Sequence, residues 1–121
     1  MNKLFSDPDV VVFRYTRARA LEDGVLLDVS EWASPREMMG GFTIPVAFTS
    51  AVWALVETAE GSRGCTRARA QDVLLLASLT ARSGRTHFGV RLGNRDVRMW
   101  IHVGPGDDAE PVATIMLEGE D

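Results

Sequence analysis

The chain has 121 residues, with 13 Lys+Arg against 17 Asp+Glu and a formal net charge of −4. Hydrophobic residues make up 45% and charged residues 25%, the balance of one globular domain spanning 1–121. This excludes a disordered tail, a disulfide-stapled mini-protein and a wholly basic nucleic-acid binder.

Residues 1–12 read as an extended entry, with Val10 to Phe13 a short strand. Thr16 is placed to cap a helix from Arg17 to Glu22, which Asp23-Gly24 ends. Val25 to Val29 is a β-type run. Ser34-Pro35-Arg36-Glu37 has serine, proline and glutamate at the N-cap, N1 and N3 positions, so a two-turn helix is expected up to Gly40-Gly41. Phe42 to Phe48 is irregular or extended, because Pro45 cannot donate to a strand ladder. Thr49 caps a helix to about Thr58 with Val52, Trp53 and Val56 on one face, making Trp53 a core residue.

Gly61 to Gly64 is a loop, and Thr66 is expected to cap the longest helix, Arg67 to Arg82. Ala70, Val73, Leu74, Ala77 and Ala81 form its buried stripe. Leu75, Leu76 and Leu79 widen that stripe enough to imply neighbours on two sides. The period then falls to two. Phe88, Val90 and Leu92 alternate with polar positions, as do Val97, Met99, Ile101 and Val103, across a Gly93-Asn94 turn. That register pairs Val90 with Val97 and Phe88 with Met99, and on the other face Arg91 with Asp96 and His87 with Trp100. Residues 104–108 form a loop and Val112 to Leu117 a third strand. The expected class is α+β, two or three helices packed on one face of a small antiparallel β-meander. Its two open edges make an edge-to-edge homodimer one expectation.

Charge is segregated. Residues 61–100 carry eight arginines against Asp72 and Asp96, whereas residues 101–121 carry six acids and no base, ending in an acidic tail at 118–121. The pentapeptide Thr-Arg-Ala-Arg-Ala occurs at 16–20 and again at 66–70, so Arg17, Arg19, Arg67 and Arg69 are candidates for gripping phosphates or carboxylates. Trp100 falls by parity on the polar side of its strand beside Arg98 and His102; it reads equally as a binding hot spot and as a residue beneath a second covering helix.

Chemistry is sparse. His87 and His102, placed near opposite ends of the paired strands, have no Cys or carboxylate at ligand spacing, so no metal is expected. Cys65, the single cysteine, follows a flexible Gly-Ser-Arg-Gly stretch and reads as an incidental thiol. Asp107, Asp108 and Glu110 read as turn chemistry or as an acidic knob for a partner. No nucleophile, base and orienting group assemble, and no phosphate-binding glycine loop is present, so neither catalysis nor a cofactor is expected. Apolar runs such as Val73 to Ala77 fall far short of the ~20 residues of a membrane helix. With no secretory h-region after Met1, a cytoplasmic protein without membrane contact is expected.

Three blocks carry a resemblance. They are Tyr15 to Ala20 with Asp23 to Leu26 and Asp28 to Glu31; Pro45 to Ala47 with Thr49 and Ala51 to Trp53; and Gly104 to Asp108 with Glu110 to Val112 and Thr114 to Leu117. On these the chain resembles a family of small proteins of unknown function carried on proteobacterial plasmids and integrative elements. The segment Trp32–Met39 is longer than the family pattern and the loop 57–66 shorter. That setting implies a non-enzymatic, anti-CRISPR-like inhibitor that binds a host defence protein and blocks its nucleic-acid surface. Asp107, Asp108, Glu110 and Glu118, with Glu120 and Asp121, would be steered toward a basic groove. The alternative expectation is a nucleic-acid-binding accessory of plasmid maintenance, using Arg67, Arg69, Arg82, Arg85, Arg91, Arg98 and Trp100 of the arginine-rich segment 63–100.

Overall fold

The computed structural model describes residues 15–59 and 65–120. The expected strand Val10 to Phe13 and the loop Gly61 to Gly64 lie outside those residues. In chain order the elements are α1 (Arg17–Glu22), β1 (Leu26–Asp28), α2 (Ser30–Ala33), β2 (Val46–Thr49), α3 (Ser50–Thr58), α4 (Thr66–Arg82), β3 (His87–Leu92), β4 (Arg95–Pro105) and β5 (Pro111–Leu117).

The class is α+β. The meander β3-β4-β5 forms in the expected register, with Val90 opposite Val97, Phe88 opposite Met99 and His87 opposite Trp100. Gly93 sits at φ +61° in the connecting turn, the left-handed conformation that the first central position of such a hairpin demands. The meander is only part of the sheet, however. Five strands run in the order β1-β2-β5-β4-β3, and β2 pairs parallel to β5, placing Phe48 beside Ile115. The simple antiparallel meander is therefore corrected to a mixed sheet. All four residues of β2 are buried, so the strand has no polar alternation to betray it. Pro45 stands one residue before it, where its carbonyl accepts from the Ala113 amide.

One sheet face carries the core. Val46, Phe48, Ile115, Met99, Ile101, Phe88 and Val90 point from it against Val52 and Val56 of α3 and Ala70, Val73, Leu74 and Ala77 of α4. Each large side chain fully buried there, such as Phe48, Leu74 or Ile115, contributes about 1.5–3 kcal/mol. Trp53 is half-buried rather than central and lies 6.1 Å from Trp32, ring centre to ring centre. Leu75 and Leu79 do not widen the buried stripe; they face outward.

Two helix starts also move. The short helix α2 precedes Ser34, which is its C-cap. The Ser34 carbonyl accepts from the Glu37 and Met38 amides to close a single turn that does not propagate. The N-cap of α4 is Cys65, not Thr66, and it makes no side-chain cap hydrogen bond. Thr16 and Thr49 cap α1 and α3 as expected, accepting from the Arg19 and Val52 amides.

Candidate functional site

The second sheet face is shared between a structural half and an open half. On the structural half α1 packs beside β1 and reaches β5 through Arg17. Its Arg17 guanidinium donates to the Thr114 hydroxyl at 2.7 Å and the Ala113 carbonyl at 2.9 Å. Burial pulls the Arg17 pKa below its ordinary value, and Asp28, Asp107 and Glu110 partly offset that by favouring the cation. The Asp107 carboxylate accepts from the Arg17 and Ala18 amides at 2.8 and 2.9 Å, supplying acceptors to the first turn of α1 from 89 residues away. Glu110 accepts from the Asp108 amide within the same turn. Asp107 and Glu110 thus have internal work, while the Asp108 side chain is exposed.

The open half lies over β3 and β4. Trp100 stands at its centre, half-buried, and its indole N–H donates to the Glu120 carbonyl at 3.2 Å. His87 stacks on one side of it, with ring centres 5.9 Å apart and planes 12° from parallel. His102 meets the indole edge-on, with ring centres also 5.9 Å apart. The histidines are therefore not at separate ends of the strands; both contact one tryptophan. Gly104 makes this fit, because a Cβ there would lie 2.7 Å from the His102 ring. Two shallow depressions flank the indole, one of about 310 Å³ over Thr114 and Met116 and one of about 320 Å³ beside Thr86 and Val103.

Two ion pairs lie on this half, and Arg85 lines the second depression. Arg91 pairs with Asp96 at 3.1 Å, and Arg98 lies 3.6 Å from the Glu118 carboxylate. The remaining candidate arginines are dispersed. Arg19 approaches Glu22 and Asp23 on α1, Arg67 pairs with Glu37, and Arg69 donates to the Val56 and Glu57 carbonyls at the end of α3. The acidic tail turns back, with Glu120 accepting from the Leu117 amide and the Thr49 hydroxyl. Among the described residues, neither the named arginines nor the named acids form one continuous patch; on the Trp100 face the register sets Arg91 and Arg98 along the hairpin with Glu118 beside Arg98, and Arg85 lines the depression next to Trp100. His87 joins them through the strand register, a signal already present in the alternation of residues 87–103.

Stacking, apolar contact and a few imidazole hydrogen bonds are what this face offers chemically. Among the described residues there is no group of three or more His, Cys, Asp or Glu side chains arranged to hold a metal ion, and no helix is long and apolar enough to cross a membrane.

Comparison with protein families matches residues 1–80 to DUF6573, a family of unknown function. The match covers more than half of the chain and stops inside α4, before the hairpin that carries Trp100. No curated protein and no solved structure matches the chain.

Proposed function

The chain belongs to DUF6573, a family of unknown function, and from that premise we propose that it is a non-enzymatic protein-binding module whose docking element is the Trp100 face. The observation that carries this is Trp100 itself, in ring contact with two imidazoles and beside two depressions, on a face that carries the Arg91–Asp96 and Arg98–Glu118 pairs. Tryptophan in such a setting is the residue type that dominates protein interfaces. The resemblance to plasmid and integrative-element proteins extends the proposal to a target: a host defence protein whose nucleic-acid surface would be covered. The internal engagement of Asp107 and Glu110, and the pairing of Glu118 with Arg98, move the contact away from the acidic loop and toward the aromatic centre.

A second reading keeps nucleic acid as the ligand, because Arg85 shares a depression with Trp100 and Arg98 stands two residues before it on the same strand face, beside an aromatic on which a base could stack. One experiment separates the two. Tagged wild-type protein and Trp100→Ala are used to capture partners from nuclease-treated host lysate, and both are titrated with single-stranded and duplex oligonucleotides over a salt series. A stoichiometric protein partner lost in Trp100→Ala, with the fold intact by circular dichroism, is the expected result. Oligonucleotide affinity that falls steeply with salt would transfer the proposal to the second reading. A partner retained at full strength by Trp100→Ala would remove the aromatic face from it.

A further inference from the structure

The helix α4 presents a second surface, on the opposite side of the molecule from Trp100. Its buried residues Ala70, Val73, Leu74 and Ala77 face the sheet. Ala68, Asp72, Leu75, Leu79 and Arg82 fall together within about 80° of arc on the opposite side at 3.6 residues per turn. Leu75 is 41% exposed, Leu79 55% and neighbouring Met39 91%, three of the six large apolar residues exposed among the described residues. With Met38 they line a groove of about 570 Å³. Its wall is fixed: the Ser78 hydroxyl donates to the Gly40 carbonyl at 2.6 Å, and the Gln71 amide donates to the Trp32 carbonyl at 3.1 Å.

The order of residues along this strip identifies its occupant. Positions 72, 75, 79 and 82 follow the alternating three-and-four spacing of a helix–helix seam, with leucine at both inner positions and opposite charges at the ends. Asp72 and Arg82 are centred on position 77, and so are Leu75 and Leu79. Two copies of α4 crossing antiparallel about a two-fold axis that meets the outer face of the helix at the level of residue 77 would set each Leu75 against the other copy's Leu79, and each Asp72 against the other copy's Arg82. No ion pair among the described residues involves Asp72 or Arg82. An apolar centre with opposite charges at equal distances on either side is complementary to its own antiparallel copy, and a heterologous partner would have no need of that symmetry.

We infer that the chain forms a two-fold homodimer through antiparallel packing of α4 on α4, with Leu75 and Leu79 at its centre and two Asp72–Arg82 pairs at its ends. This surface is independent of the Trp100 face, so a dimer would carry two such faces pointing outward.

Sedimentation equilibrium of the full chain over a concentration series tests it. Wild type is expected to be a dimer, and Leu75→Glu/Leu79→Glu, with unchanged circular dichroism, to dissociate at least ~100-fold more readily. Asp72→Arg and Arg82→Asp should each weaken the dimer by on the order of tenfold, by placing like charges together at both ends. Mixing these two variants should restore a heterodimer, because every end pair is then opposite in sign. A monomeric wild type at high concentration, a dimer that survives the double glutamate substitution, or single variants that do not rescue each other would overturn the inference.

Discussion

Thr-Arg-Ala-Arg-Ala is built twice in this molecule, and the two copies do different jobs with the same five side chains. In the first copy Thr16 is the N-cap of α1, and its hydroxyl accepts from the Arg19 backbone amide at 3.0 Å. In the second the cap is Cys65, so Thr66 is already helical and its hydroxyl accepts from the Arg69 side chain instead. That offset of one residue rotates the second copy by about 100° relative to its cap. The arginines exchange roles accordingly. Arg17 reaches into the sheet while Arg19 makes exposed ion pairs; Arg69 secures the end of α3 while Arg67 makes the surface pair with Glu37. Only the last alanine is buried in both, as Ala20 and Ala70. The lesson is that a local pattern specifies a helix start, and the phase of that start decides which side chain meets the rest of the protein.

Four measurements would break or sharpen this comparison. The largest effect belongs to the shared alanine. Ala70→Leu forces a side chain between α4 and the main core and should cost about 3 kcal/mol, whereas Ala20→Leu, under a six-residue helix able to shift, should cost about 1 kcal/mol. Urea unfolding reads both, and equal losses would mean the two copies are equally constrained.

Next come the arginines. Arg17→Ala and Arg69→Ala each leave buried or half-buried acceptors without a donor and should cost about 2 kcal/mol, against about 0.5 kcal/mol or less for Arg19→Ala and Arg67→Ala. If the order within either pair were reversed, the phase argument would fail. Smaller again, Thr16→Ala should lose about 1 kcal/mol as a true cap, and Thr66→Ala no more than about 0.5 kcal/mol.

The smallest effect concerns Cys65, which occupies the cap of the second copy. The Ala68 amide, foremost, and the Arg67 amide favour its thiolate against a weaker opposing desolvation, lowering its pKa from 9.0. Alkylation by iodoacetamide should therefore reach half its limiting rate at lower pH in the folded chain than in urea. Because the folded value is the depressed one, the small stabilisation is present at high pH and fades as pH falls through it. Coincident profiles would show that the amides do not act on the sulfur.

The β3-β4 hairpin was legible residue by residue, since strict alternation around Gly93-Asn94 admits one register. By contrast β2 was hidden: Val46 and Phe48 face the core while Ala47 and Thr49 are buried on the other side, so no polar face marks it. The helix expected at Ser34 had sound local chemistry, but α2 had already ended on that residue. At the candidate site, parity placed Trp100 on the polar face and register brought His87 to it. The bond to the Glu120 carbonyl and the service of Asp107 to α1 depend on chain segments that only the sheet order brings near, and local pattern carries no trace of them.

The position of β5 has a consequence for synthesis. Among the described residues it is the middle strand of five and the last of them in chain order, joining β2 on one side to β4 on the other. On the ribosome, the β1-β2 and β3-β4 pairs can form as separate halves, each with an unsatisfied strand edge waiting for β5; β4 is joined to it by a short turn, whereas Val46 of β2 must wait for Ala113, the kind of long-range pairing that forms slowly. Until Leu117 emerges, the nascent chain exposes two inner edges that the finished protein hides, and that interval is when it is most open to pairing with a neighbour.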